Sequence, residues 1–332
     1  MIAPYPLRLA PILKPKVWGG RRLARLGKSL PEGVAIGESW ELADLEASSP
    51  DGGGGGPERS RIANGALAGR TLADVIRLWG ADLLGSLPAP GGFPLLVKFL
   101  DAGEPLSVQV HPSAEYAAAH PGCHVKSESW LVLHADPGAV LYKGLRRGTT
   151  VDDLAGALRD GRIVECLERV PAIAGECHDL PSGTVHALGA GIVVAEVQTP
   201  SDTTFRLWDW PELGRSGRAL HVAEGLASAR IEPTPVATRA EPASECTRLA
   251  STTAYDLWEL RADTGEPVEH PVGRHAPQVL IVLEGSVDAD GHPLSTGDTV
   301  LVPAACDPAA LLARAPTRAL AVGFPLAAPA RR

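Results

Sequence analysis

The sequence predicts a mainly β protein made of two β-rolls with short helical insertions, and three observations carry that prediction. Runs rich in Val, Leu and Ile, such as "FPLLVKFL", "GIVVAEVQ" and "QVLIVLEGSV", are short and bounded by turn residues, which 36 Gly and 30 Pro in 332 residues supply. Strands punctuated in this way build sandwiches and barrels rather than helical bundles. A spacing also recurs. "GECHDLPSGTVH" runs Gly175, five residues, Pro181, one residue, Gly183, two residues, His186. "GDTVLVPAACDP" repeats the interval from Gly297 to Pro303, then places Ala305 and Pro308 where the first copy has Gly183 and His186. Two related rolls follow, the second without the metal-capable side chain. Third, "IEPTPVATRAEPASE", rich in Pro, Ala and Glu, separates the copies as a linker.

The division expected is a catalytic unit over 1–232 and a smaller roll over 245–328. Two stretches of the first unit read as helices. "TLADVIRLWGADLLG", near 71–85, starts on Thr71 as N-cap with Asp74 in the first turn, and Val75, Ile76, Trp79 and Leu83 share one face. The second, near 149–170, is capped by Thr150 with Val151, Leu154, Ala155 and Leu158 behind it, and breaks at Gly161 before another short helix. "DGGGGGPERS" (51–60) reads as a flexible loop, since no Lys-Ser or Lys-Thr follows to make it a phosphate cradle.

Composition narrows the function. A net charge of −8 argues against a nucleic-acid partner, which favours a basic face. No run reaches the ~18 apolar residues of a membrane span, and the N-terminus lacks a secretory layout. Five scattered cysteines without a CxxC pair fit reduced thiols, and the expectation is a cytoplasmic protein.

The candidate chemistry starts at "PLSVQVHPSAEY", residues 105–116. In a strand, Leu106, Val108 and Val110 point one way while Ser107, Gln109 and His111 point the other, until Pro112 ends the ladder. Gln109 and His111, at i and i+2, lie ~7 Å apart along a strand, close enough to grip one ion between them. In "KSESW", Lys126, Glu128 and Trp130 share a strand face, and a carboxylate so flanked is unusual for a solvated surface. The Gly175-to-His186 spacing is the second motif of the cupin superfamily, whose Pro–Gly turn projects the following His into the roll. Gln109-Val110-His111 stands where that superfamily's first motif has a His-x-His pair. Gln109, His111, Glu128 and His186 thus form a candidate ligand set for one divalent metal with an open coordination position. Its N and O donors suit Zn2+ and also admit Mn, Co or Fe.

The ordered set "FPLLVKFLDAGEPLSVQVHPSAEY", "KSESW", "LPSGTVHALGAG" and "EVQTPSDTTFRLWDW", with "WGG" at 18–20 and "IGESWELAD" at 36–44, resembles the type I mannose-6-phosphate isomerases in their short bacterial form. The likeness runs from about residue 8 to 225 and weakens after 240. It implies a zinc on Gln109, His111, Glu128 and His186, and a sugar phosphate as the small-molecule partner. It implies further that Ser107 and Lys126, with Lys98, meet the substrate phosphate, that Arg206 sits over the reacting carbons, and that Trp18 forms a pocket wall. Glu196 matches an acidic position of the family and is the first choice for the general base. The expected reaction interconverts mannose 6-phosphate and fructose 6-phosphate through an enediol. One departure stands out: where the longer enzymes carry a Lys after the Arg, this chain has Glu212, with Arg215 and Arg218 nearby. Another metal-dependent cupin enzyme acting on a phospho-sugar, or a sugar-phosphate binding protein of low activity, are the alternative classes.

Overall fold

The computed structural model describes residues 2–45, 58–215, 217–241, 244–268, 275–306 and 311–325, and is mainly antiparallel β. One seven-stranded sheet has the order Thr238–Arg239, Glu176–Leu180, Glu128–Ala135, Ile192–Gln198, Leu96–Ala102, Ile12–Gly20, Ile36–Leu42. Opposite it lies a five-stranded sheet in the order Leu167–Pro171, Val140–Leu145, His186–Leu188, Val108–Val110, Phe205–Trp208. The two close on Leu100, Trp130, Val132, Leu141, Leu188 and Val194, and form the first roll.

A second seven-stranded sheet runs Cys246–Ser251, Asp256–Ala262, Thr317–Gly323, Gln278–Glu284, Thr299–Val302, Leu7–Ala10, Arg61–Ile62. With His292–Ser295, Ser286–Ala289 and Leu311–Ala313 it encloses a filled aliphatic interior of Leu280, Val282, Val287, Leu294 and Val300. The repeated spacing is visible in the backbone. Gly175 and Gly297 have φ of +90° and +89°, and each leads into a strand that ends before the matching proline. At Gly297 a Cβ would lie 1.9 Å from the Leu26 carbonyl oxygen, so only glycine fits that turn. Pro308 lies outside the described residues.

The two seven-stranded sheets pack back to back over one large core, with Val97, Phe99, Val193, Ala195 and Val197 against Leu257, Val279, Ile281, Leu320 and Val322. The first roll's sheet is therefore covered on both faces, and strand Leu96–Ala102 is buried along its whole length. That explains an apolar run interrupted by one charge: Val97 and Phe99 enter the shared core, while Lys98 and Leu100 alternate into the roll.

Several local readings need correction. The 71–85 stretch is two helices, Leu72–Trp79 and Ala81–Leu84, separated by Gly80 at φ +50°; the first is closed by a Thr71–Asp74 capping box. The helix begun by Thr150 is Val151–Arg159, and Val151 is exposed instead of packed. The end of that insertion is not helical, because Leu167–Pro171 pairs with Val140–Leu145. Helices Ala114–Ala119 and Val222–Ser228 had no counterpart in the sequence reading. Residues 51–57 lie outside the described segments, but Glu58–Arg59 form a short ladder with Asp44–Leu45 instead of a loop. The linker contributes an edge strand, Thr238–Arg239, to the first roll. Among the described residues no helix is long and apolar enough to cross a membrane, and all five cysteines are free.

His178 lies opposite Trp130 on the roll's inner face and is 1% exposed; among the described residues neither ring nitrogen makes a hydrogen bond, and Glu176 Oε2 stands 3.6 Å from Nε2. Burial, helped by the nearby Lys143 charge, lowers its pKa to about 4. The unfolded chain takes up this proton near pH 6.5, so stability is complete above that pH and is lost as pH falls toward 4. Replacing His178 with Asn should flatten the pH dependence of the denaturation midpoint between about pH 6.5 and 4, removing a loss of about 3 kcal/mol. Parallel curves for variant and parent would refute this.

Candidate metal centre and active site

The site occupies one end of the first roll, between its two walls. From the five-stranded sheet come Gln109, His111 at the end of its strand, His186 opposite Gln109, and Arg206 on Gln109's other side. From the seven-stranded sheet come Glu128, Trp130, Lys98 and Glu196, with Glu196 facing Lys98 on one neighbour and Trp130 on the other. Lys126 does not share a strand with Glu128 as expected, since that strand begins at Glu128; it reaches in from the preceding loop.

Glu128 is 1% exposed and sits among the other donors. Its Oε2 lies 2.5 Å from Lys126 Nζ and 3.3 Å from His111 Nε2, and its Oε1 lies 3.1 Å from His186 Nε2. Gln109 Nε2 is 3.2 Å from His186 Nε2. Burial works against ionisation of Glu128, but the Lys126 charge beside it overcomes that and holds the carboxyl well below its usual range. His111 is lowered to about 3, first by burial and then by Lys126, so it is neutral. The carboxylates beside Lys126 outweigh its burial and raise its pKa.

These residues fit a divalent cation. His111 Nδ1 meets the Thr203 carbonyl at 2.9 Å and His186 Nδ1 the Thr184 carbonyl at 2.8 Å. A neutral imidazole that donates through Nδ1 presents a lone pair at Nε2. Both Nε2 atoms therefore turn electron pairs toward the carboxylate, and Glu128 Oε1, although buried, accepts no hydrogen bond among the described residues. Among the described residues, His111, Glu128 and His186 are the group whose ligand atoms converge within 4.8 Å. A half-turn of the Gln109 amide exchanges its nitrogen and oxygen and would bring a fourth donor.

The cavity above these donors is also lined by Trp18, Ser107, Lys98, Glu196 and Arg206, so every predicted substrate and catalytic position except the deeper ligands His111, Glu128 and His186 borders it. Glu196 is 2% exposed, 3.6 Å from both Lys98 and Lys126, and burial pushes its pKa up to about 7. Arg206 donates Nη1 to the Ala219 carbonyl at 2.8 Å.

The sequence reading missed Lys16, Glu38 and Trp40, which line the same cavity. Glu38 accepts from Trp40 Nε1 at 2.7 Å and lies 3.3 Å from Lys16 Nζ. Burial would raise its pKa, but Lys16 and Lys98 outweigh that and lower it. The signal was the alternation in "IGESWEL", which sets Glu38 and Trp40 on one strand face. Glu212, the departure from the family pattern, is exposed, whereas Arg218 lines the cavity.

A cupin-type roll that converges two imidazoles and a carboxylate beside a lysine- and arginine-lined cavity defines a metal-capable cupin whose pocket suits an anionic small molecule. Comparison supplies the particular family. The model for "Phosphomannose isomerase type I, catalytic domain" matches residues 7–135. Mannose-6-phosphate isomerase of Streptococcus mutans is 32% identical over 309 residues, 90% of this chain and 92% of that protein. Mannose-6-phosphate isomerase ManA of Bacillus subtilis is 36% identical over 235 residues, 69% of this chain and 70% of that protein. The crystal structure of mannose 6-phosphate isomerase from Bacillus subtilis superposes with a TM-score of 0.78 at 26% identity, covering 96% of this chain and 99% of that one. The chain belongs to the type I mannose-6-phosphate isomerase family.

The centre makes a direct prediction for purified protein. His186→Ala should lose most bound metal by elemental analysis, while His292→Ala, in the second roll, should retain it. Equal loss in both variants would place the metal elsewhere.

Proposed function

We propose that this protein interconverts mannose 6-phosphate and fructose 6-phosphate, with one Zn2+ held by Gln109, His111, Glu128 and His186. The unit over 1–232 would carry the chemistry, and the roll over 245–328 would buttress it. The observation that best supports the reading is that donors for one metal converge beside a cavity bordered by three further carboxylates, Glu38, Glu196 and Asp202, and by several cations. Bound there, the metal would supply Lewis-acid polarisation of the sugar oxygens.

The chain's own groups account for the rest. Glu196 would take the proton from C2 and return it to C1 of the enediol; its contacts with Lys98, Lys126 and Trp130 are long, at 3.5–3.6 Å, which leaves it available. Glu38, more tightly held, serves as a fixed acceptor for Lys16 and Trp40. Arg206 would face the negative charge that develops on the enediolate. Ser107, Lys126 and Lys98 would meet the phosphate, and that binding energy would align the reacting carbons. Trp18, 4% exposed, closes the wall beside the sugar.

A coupled assay on purified protein should show turnover of mannose 6-phosphate that a chelator abolishes and added metal restores. Glu196→Gln should cut kcat by about 10²–10⁴-fold while metal content stays unchanged. Absence of turnover with metal restored would sink the isomerase reading.

A further inference from the structure

The ladder between Phe205–Trp208 and Val108–Val110 sets Arg206 opposite Gln109 and Trp208 opposite Val108. Beyond the ladder, Asp209 is the next residue after Trp208, and Ser107 is the residue just before Val108. The chain is fastened at this end: Trp210 Nε1 donates to the Leu106 carbonyl at 2.6 Å and Arg215 Nη1 to the Pro105 carbonyl at 2.5 Å. Asp209, whose side chain is 5% exposed, accepts from both Nε and Nη2 of Arg218 in a forked pair. The same carboxylate lies 3.9 Å from Arg206 Nε. Asp209 thus stands between two guanidinium groups, and its charge lets them approach one another at the cavity wall. Arg218 lines the cavity, and its remaining Nη1 makes no hydrogen bond among the described residues.

We infer that Arg218 determines specificity by binding the substrate phosphate at the Ser107 end of the cavity, with Asp209 as the residue that positions it. The inference rests on the sugar-phosphate isomerase reading above. A guanidinium held along one edge by a carboxylate keeps its plane fixed and offers its other N–H groups to a dianion, as bidentate phosphate recognition requires. The metal donors and Arg206 lie at the Gln109 level of the same ladder, so the two ends of the substrate would be read at different strand positions.

Two measurements on metal-loaded protein test this: titration calorimetry with inorganic phosphate, and steady-state kinetics with mannose 6-phosphate. Arg218→Gln should weaken phosphate binding about 10- to 100-fold and raise KM similarly, with kcat within about threefold. Arg218→Lys should recover part of the phosphate affinity. Asp209→Asn, which keeps Arg218 but releases its fork, should fall between parent and Arg218→Gln. Unchanged phosphate affinity and KM in Arg218→Gln would overturn the inference, as would a fall in kcat at constant KM. If Arg218→Gln fails to fold, parental phosphate affinity in Arg218→Lys overturns it instead. Phosphate binding is read without turnover, so an inactive parent whose phosphate affinity depends on Arg218 would defeat the isomerase reading and leave this one standing.

Discussion

The organisation of the first roll depends on one buried charge. Glu128 brings a carboxylate into an interior closed to water, where an uncompensated charge costs several kcal/mol or more. The surroundings answer that cost in layers. Lys126 folds back from the loop before the strand to meet the carboxylate, while His111 and His186, held by the carbonyls of Thr203 and Thr184, turn lone pairs to the same point, where a bound cation would complete the compensation. Behind them a row crosses the sheet, Trp40, Lys98, Glu196, Trp130, in which cation and anion alternate between aromatic rings. The roll interior is therefore divided, with charge compensated at one end and aliphatic packing of Leu141, Leu188 and Val194 at the other.

The second roll holds this arrangement from behind. Tyr255, fully buried, donates its hydroxyl to the Val197 carbonyl at 2.8 Å and lies 3.0 Å from Ser129 Oγ. Val197 follows Glu196 and Ser129 follows Glu128, so one side chain from the second roll braces the backs of the two strands that carry those carboxylates. A second tie is buried as well: Lys28 bonds both Glu41 and the Gly297 carbonyl at 2.7 Å. The second roll fills its interior with aliphatic side chains.

Much of the candidate site was legible because strands alternate and the candidate ligands come in short-range pairs. Gln109 and His111 are two residues apart, and the Gly–Pro–Gly–His spacing delivers His186 from a turn whose geometry the sequence encodes directly. What was not legible came from pairings distant in sequence. Glu38 and Trp40 acquire meaning only when their strand pairs with Leu96–Ala102, and Arg218 only when its loop folds onto the strand entrance at 104–107. The helical errors have a local cause. Leu167–Pro171 carries side chains that a helix would accept, but pairing with Val140–Leu145 satisfies its backbone in the sheet. Val151 lies within the apolar spacing of its helix yet faces out, because the buried stripe follows Leu154, Ala157 and Leu158.

The first strand carries a consequence for how the molecule is made. Leu7–Ala10 belongs to the second roll's sheet, with Leu7 beside Leu301, while the next strand, Ile12–Gly20, already belongs to the first. During synthesis Leu7–Ala10 leaves the ribosome long before its partner Thr299–Val302. Until that partner is made, this apolar segment must wait with a hydrogen-bonding edge unfilled, the condition that invites pairing with another chain. Pro6 and Pro11 bracket the strand and Arg8 lies within it, all residues that discourage edge-to-edge association. The same pairing gives the native state a high contact order, so the last step of folding is expected to be slow and to stitch both rolls shut together.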